Sequence, residues 1–137
     1  MSFRDIARAD IIRDEGLELK LYKCTAGKWS IGVGRNLEDR GITREEAMFL
    51  LDGDLLIAEA DAKALFPAFD GISDARKAVL VNMALNLGKS RLAGFKRFRA
   101  AVADGDFEVA AAEMLNSQWA GQVGQRARRL SAKMKEG

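Results

Sequence analysis

The 137-residue chain contains no histidine, one cysteine and one proline. The absence of histidine excludes every catalytic scheme built on a Ser-His-Asp or Cys-His pair, and a Cys/His zinc site is not expected. A single cysteine excludes an internal disulfide framework. Any catalysis must therefore rely on carboxylates, the thiol, hydroxyls, lysine, tyrosine or backbone groups.

Strong net charge and long apolar runs are also missing. The 22 Lys and Arg residues against 20 Asp and Glu residues give a net charge of +2, which does not predict nucleic-acid binding. The longest nearly apolar stretch, 78–87, is about half the length that a membrane span needs. The first fifteen residues mix charges with apolar positions, so no signal peptide is predicted. We expect synthesis in a cytoplasm and no stable membrane insertion.

What is present is hydrophobic spacing typical of helices, in a chain that is 48% hydrophobic. Residues 3–14 have apolar side chains at helical spacing, and Gly16 suits the left-handed end of that helix. Thr43 and Glu46 predict a capping box at the start of a long amphipathic helix, 44–65. Further helices are predicted over the following segments: 74–87 (nearly all apolar and therefore central), 92–103, 107–115 and 125–135.

A β-hairpin is predicted between the first two helices. Leu17, Leu19 and Leu21 alternate with polar residues, as in a half-buried strand, and a second strand begins at Trp29. Trp29 is interpreted as hairpin core rather than a platform for sugars. The polar connection 35–42 has room for another short strand or turn.

We predict a single domain, 1–137. It has a small β lobe at about 16–42 and a helical lobe formed by 1–15 and about 66–137, joined by the long helix 44–65.

Three side chains capable of catalysis lie at the end of the first helix and in the hairpin that follows it. Glu15 lies at its end, Cys24 is nine positions further on, and Ser30 is six positions beyond that. If the hairpin folds back against the helix end, the three can face one groove, which suits glycosidic bond cleavage by an acid opposite a base or nucleophile. From spacing alone, the simpler interpretation is a solvated Glu15 and a buried, inert Cys24.

The segment resembles the signature of phage-type lysozymes of the T-even kind, the muramidases of glycoside hydrolase family 24. The family pattern is Glu, eight residues, Asp or Cys, five residues, Thr, and this chain has Glu15, Cys24 and Ser30 at those positions. Other shared motifs follow in the family's order: EGLxLKxYK before the cysteine, SIGVG after it, the Thr43 cap, ARKAVLVNM at 75–83, AGF at 93–95 and SxWxxQxxxRA at 117–127.

This resemblance implies a mainly helical α+β lysozyme-like fold, with a small β-hairpin lobe and a larger helical lobe flanking a cleft. It implies that Glu15 is the general acid and that Cys24 is the second catalytic residue, which activates water or attacks the anomeric carbon. Ser30 takes the place of a threonine that helps to hold the water. Leu85 and Asn86 are implied as substrate-binding residues.

The reaction implied is hydrolysis of the β-1,4 bond between N-acetylmuramic acid and N-acetylglucosamine in bacterial peptidoglycan, with no metal or organic cofactor. The implied protein is a monomeric phage or prophage endolysin. It acts on glycan strands at the cell wall or periplasm, depends on a holin for export, and lyses the host cell.

The sequence departs from the family pattern at several positions. Arg35 follows Gly34 where the family often has histidine, and we expect Arg35 to pair with Asp54. Ser30 keeps the hydroxyl but lacks the methyl group of threonine. The ordinary pKa of a thiol, near 8.5, leaves little thiolate at neutral pH.

Other interpretations remain open. The asparagines Asn82 and Asn86 can instead satisfy buried backbone or each other, and Trp119 and Gln122 are interpreted as core and network residues. A catalytically impaired peptidoglycan-binding descendant of the fold is one alternative function. Another is a basic module that acts on membranes or nucleic acid through the cations Arg126, Arg128, Arg129, Lys133 and Lys135.

Overall fold

The computed structural model describes all residues, Met1–Gly137, and divides them into two compact units, Met1–Phe49 and Leu50–Gly137. Nine α-helices and one three-stranded antiparallel sheet confirm the mainly helical α+β class. The first helix belongs to the same unit as the sheet, whereas the predicted division groups 1–15 with the C-terminal helices. No helix combines the length and the apolar character that crossing a bilayer requires.

The first unit begins with helix α1, Phe3–Glu15. Ser2 caps it in a capping box: the Asp5 backbone N–H donates to Ser2 Oγ, and the Ser2 N–H donates to the Asp5 carboxylate. Gly16 ends the helix with φ 77°, as predicted, and its N–H donates to the Ile12 carbonyl at 2.8 Å. None of the helix residues is buried.

The sheet has the strand order β1-β2-β3, with β1 at Glu18–Lys23, β2 at Trp29–Gly32 and β3 at Arg35–Asn36. Ser30, in the central strand, is paired with Tyr22 on one side and Asn36 on the other. The connection 35–42 holds both a short strand and a one-turn helix, α2, at Leu37–Arg40.

The predicted burial of the hairpin side chains is wrong. Leu17, Leu19 and Leu21 are between 58% and 81% exposed, while Ser30 is the buried side chain of the sheet. Trp29 is 45% exposed, with Lys23 Nζ 5.0 Å from the centre of its ring, so it is not hairpin core. Alternation defines two faces of a strand, but the tertiary contacts decide which face is covered.

Helix α3, Arg44–Leu65, has the predicted bounds. The capping box at its start is confirmed, since the Glu46 N–H donates to Thr43 Oγ1 at 3.1 Å and the Thr43 N–H donates to Glu46 Oε1 at 2.8 Å. Its buried side chains all lie in the second half, namely Ala58, Ala62 and Leu65.

The second unit continues through a 3-10 turn at Phe69–Gly71 and six helices: α4 Asp74–Leu87, α5 Lys89–Ala93, α6 Lys96–Ala103, α7 Phe107–Leu115, α8 Gln118–Val123 and α9 Gln125–Glu136. Helix α4 supplies fully buried core side chains, including Val79, Leu80 and Met83, as its apolar sequence predicts. Arg76 joins its first turn to the end of α9 by donating to the carbonyls of Met134 (2.8 Å) and Lys135 (3.0 Å).

The helix predicted over 92–103 is interrupted, and α8 is an additional helix. Phe95 leaves the helical conformation (φ −79°, ψ 63°) and packs edge-on against Phe98 and Trp119. Aromatic packing therefore outweighs helix continuity at this point. Helix α8 has only six residues, too few for a clear hydrophobic period.

Candidate active site

Glu15, the last residue of α1, places its carboxyl group against the turn between β2 and β3. A Cβ atom at Gly34 would lie 2.9 Å from both Cδ and Oε2 of Glu15. Gly34 also has φ +67°, a conformation that L side chains rarely adopt. The glycine therefore provides the space in which the carboxyl rests, and the Glu15 side chain remains exposed to solvent.

Cys24 occupies the turn that joins β1 to β2. The turn is closed by the Cys24 N–H, which donates to the Lys28 carbonyl at 2.9 Å, and by the Gly27 N–H, which donates to the Cys24 carbonyl at 2.8 Å. The side chain is a half-buried free thiol.

The turn also sets the acidity of that thiol. The backbone N–H of Lys28, followed by that of Ala26, lowers the pKa of Cys24 below its ordinary value. Desolvation opposes this shift, and the Ser30 hydroxyl lowers the pKa by less than desolvation raises it. More thiolate is therefore present at neutral pH than an ordinary cysteine provides. Backbone dipoles are responsible for this shift, and the cation of a nearby lysine is not.

Ser30 lies beside Cys24 and is only 2% exposed. Its Oγ donates at 3.2 Å to the Lys28 carbonyl, the same carbonyl that accepts from the Cys24 N–H. The structure thus brings Cys24 and Ser30 together. The Glu15 carboxyl contacts the same sheet at Gly34, which is four residues after Ser30.

Arg35 is paired with Glu46, and the predicted pair with Asp54 is wrong. Arg35 Nη1 and Nη2 donate to the two carboxylate oxygens of Glu46 at 2.9 and 2.7 Å, and Nη1 also donates to the Gly41 carbonyl at 3.3 Å. The capping box with Thr43 fixes the orientation of the Glu46 carboxylate, so that both of its oxygens can bind Arg35. Asp54, in the second unit, lines a cavity of about 190 Å³ together with Leu85 and Asp61.

The Arg35–Glu46 pair predicts a pH dependence of stability. The Arg35 guanidinium and the Thr43 backbone N–H lower the pKa of Glu46 from 4.5 to about 2. Because the folded-state pKa is below the ordinary value, this contribution to stability is present above about pH 4.5 and is lost as the pH falls toward 2. Urea unfolding at several pH values should show a smaller acid-induced loss in Glu46→Gln than in the natural chain. Equal losses in the two proteins would contradict the assignment.

In the second unit, two asparagines of α4 accept hydrogen bonds from side chains of the C-terminal helices. Asn86 Oδ1 accepts from the buried indole Nε1 of Trp119 at 2.7 Å, and Asn82 Oδ1 accepts from Nε and Nη2 of Arg126 at 3.0 and 2.7 Å. The asparagines bond neither to backbone nor to each other. Asn86 is exposed and Leu85 is 41% exposed.

Three contributions to the site are missing from the sequence prediction: Glu46 as the partner of Arg35, Gly34 as the support of the Glu15 carboxyl, and the Lys28 N–H as the main group that lowers the pKa of Cys24. The Thr-x-x-Glu spacing at Thr43 signals a helix cap but says nothing of a second partner. No group of three or more His, Cys, Asp or Glu side chains in the structure is arranged to hold a metal ion.

Comparison with known proteins adds independent information. The family model described as Phage lysozyme matches residues 13–136. The relatives named Probable T4-type lysozyme 2 and Probable T4-type lysozyme 1, both from Dictyostelium discoideum, are 25% and 26% identical to the chain, covering 85% and 90% of it and 86% and 90% of their own lengths. The Pre-baseplate central spike protein Gp5 of Enterobacteria phage T4 is 29% identical over 87% of the chain and 26% of its own length.

Proposed function

Because this chain belongs to the phage lysozyme family, we propose that it hydrolyses the β-1,4 bond between N-acetylmuramic acid and N-acetylglucosamine in bacterial peptidoglycan. Membership makes it a lysozyme-type glycoside hydrolase. The observation that supports the specific reaction is the presence, in one unit, of both an exposed carboxyl that rests on Gly34 and a thiol whose pKa is lowered by backbone N–H groups.

In the proposed reaction, the Glu15 carboxyl donates its proton to the glycosidic oxygen as the bond from that oxygen to the anomeric carbon breaks. The Cys24 thiolate either takes a proton from the water that attacks the anomeric carbon or attacks that carbon itself. In the second case, water later releases the sugar from sulfur. Inversion of the anomeric configuration identifies the first route and retention identifies the second. The proposed role of the Ser30 hydroxyl is to help hold the water, as the family resemblance implies.

The proposed substrate contacts in the second unit are Leu85 and Asn86. The Oδ1 atom of Asn86 is occupied by Trp119, which leaves its Nδ2 group free to donate to an acceptor on a sugar. The exposed side chain of Leu85 offers apolar contact. Peptidoglycan glycan strands are therefore the proposed partner, and lysis of a host cell is the proposed biological consequence.

The decisive test is digestion of purified peptidoglycan by the purified chain, followed by mass analysis of the new sugar ends. Reducing ends are expected, because hydrolysis adds water across the bond. Anhydro ends would instead identify a transglycosylase. Binding to peptidoglycan without any cleavage would favour the catalytically impaired descendant.

The contact between the Glu15 carboxyl and Gly34 predicts that a larger residue at position 34 lowers activity. In Gly34→Ala the new methyl group would occupy the space of Glu15 Cδ and Oε2, so the flexible acid must swing away. A displacement of about 1 Å in a catalytic group can cost on the order of a hundredfold in rate. We therefore expect the rate of peptidoglycan hydrolysis in a turbidity assay to fall by roughly tenfold or more.

Gly32→Ala is the matched control for that variant. Gly32 has a similar backbone conformation, φ +72°, but a Cβ atom there would meet nothing within 4 Å. Both variants should lose roughly 1–2 kcal/mol of unfolding free energy through backbone strain. Equal activity losses in the two would show that strain, and not displacement of the carboxyl, is responsible.

A further inference from the structure

The turn that carries Cys24 is held from outside by the first turn of α2. Lys28 Nζ lies 3.3 Å from Glu38 Oε2 and 3.3 Å from Asp39 Oδ1. The backbone N–H of the next residue, Trp29, donates to Glu38 Oε1 at 3.4 Å. Two carboxylates therefore bind the side chain of Lys28, and one of them, Glu38, also binds the backbone N–H that follows it.

Helix α2 is itself fixed to the sheet. Asn36 caps it, because Asn36 Oδ1 accepts from the Asp39 N–H at 3.0 Å and Asn36 Nδ2 donates to Asp39 Oδ2 at 3.1 Å. Asn36 is also the strand partner of Ser30, the buried neighbour of Cys24. The helix that carries the two carboxylates is therefore attached to the strand residue that pairs with Ser30 of the candidate site.

Lys28 affects Cys24 through its backbone and not through its charge. Its ammonium group is engaged by Asp39 and Glu38, and these two carboxylates raise the pKa of Lys28. Among the other nearby charges, Lys23 lies over the Trp29 ring and the Glu15 carboxyl rests on Gly34. The groups that lower the pKa of the thiol are the backbone N–H groups of Lys28 and Ala26 and, to a smaller extent, the hydroxyl of Ser30.

We propose that Glu38 and Asp39 are positioning residues for Cys24: they hold Lys28 and Trp29, and the Lys28 carbonyl in turn accepts hydrogen bonds from the Cys24 N–H and the Ser30 hydroxyl. This inference rests on the proposed function, in which the thiolate of Cys24 is the second catalytic group. The ion pairs are largely exposed, with side-chain exposures of 39% for Lys28, 42% for Glu38 and 57% for Asp39. Exposed pairs contribute little to global stability, so their removal should leave the chain folded.

Alkylation by iodoacetamide tests the proposal, because Cys24 is the only cysteine and the reaction reports on no other residue. The rate is measured against pH in the natural chain and in the double variant Glu38→Ala/Asp39→Ala. We expect the midpoint of the pH profile to rise and the rate near neutral pH to fall roughly threefold to tenfold, since fewer donors stabilise the thiolate. The control is Glu108→Ala, which removes one charge at an exposed first-turn position of α7.

A second variant, Glu38→Gln, keeps an oxygen for the Trp29 N–H but removes one of the two charges that bind Lys28. Its midpoint should lie between those of the natural chain and the double variant. Midpoints that stay at the natural value in both folded variants would overturn the proposal. So would a shift of the same size in Glu108→Ala.

Peptidoglycan hydrolysis supplies a second readout. The double variant should lose activity at neutral pH and recover it at higher pH, whereas in a Cys24→Asp background the same two changes should have little effect, because a carboxylate is already ionised. If the natural chain does not cleave peptidoglycan but the alkylation midpoint shifts, the proposed function fails and the positioning of the sulfur stands. If the natural chain cleaves but the midpoint does not move, only the positioning role fails.

Discussion

Glu15→Gln is expected to lower the rate of peptidoglycan hydrolysis by roughly a hundredfold to ten-thousandfold, the usual contribution of a general acid. The amide has nearly the same shape as the carboxyl and can occupy the same seat against Gly34, but it cannot give a proton to the glycosidic oxygen. Because the side chain is exposed, the unfolding free energy should hardly change. A turbidity assay and a thermal melt measure the two quantities.

Asp14→Asn is the matched control. Asp14 precedes Glu15 in the same helix, its side chain is 73% exposed, and its nearest ion-pair partner, Arg13, is 3.9 Å away. The same loss of charge there should leave hydrolysis unchanged. Clearing that persists in Glu15→Gln would refute Glu15 as the acid. If the remaining lysis then disappeared on neutralising the cations of α9, the basic-module alternative would be favoured.

Cys24→Ala is expected to lose activity by a similar factor, roughly a hundredfold or more, whereas Cys24→Asp should keep it. Alanine has no group that can accept a proton or attack the anomeric carbon. Aspartate restores an ionised group in the turn, where the backbone N–H groups of Lys28 and Ala26 can stabilise its negative charge as they do that of the thiolate. Rates on purified peptidoglycan for the three proteins make the comparison.

The pH profile separates this role from a structural one. With cysteine, activity should rise with pH through the pKa of the thiol, which lies below its ordinary value because of the Lys28 N–H. With aspartate, whose ordinary pKa is about 3.9, the rising limb should move to lower pH. Full activity in Cys24→Ala, with an unchanged profile, would remove the thiol from the mechanism.

The parts of the fold that were predictable from sequence are those set by local interactions. Thr43 and Ser73 cap the helices that follow them through hydrogen bonds within three residues, and Gly16 ends α1 in a conformation that other residues rarely adopt. The bounds of α3 and α4 follow from these signals. The alternation around residues 17–33 likewise predicts the hairpin that carries both Cys24 and Ser30.

The remaining features depend on contacts between residues distant in sequence. Arg35 has several acidic residues within reach of a folded chain, and only the orientation of Glu46 in its cap selects the partner. The apolar alternation of β1 does not reveal which face is covered. The acidity of Cys24 depends on the direction of N–H bonds in a turn, which residue types do not encode.

The double use of Glu46 has a consequence for how related sequences can vary. One carboxylate both starts α3, through Thr43, and neutralises Arg35 beside the sheet. A substitution that suits the helix alone would leave a partly buried guanidinium without its counter-ion, at a cost that exceeds the loss of an ordinary cap. Positions 35 and 46 should therefore change together during evolution, so that divergent homologues carry compatible pairs and seldom a mismatched one.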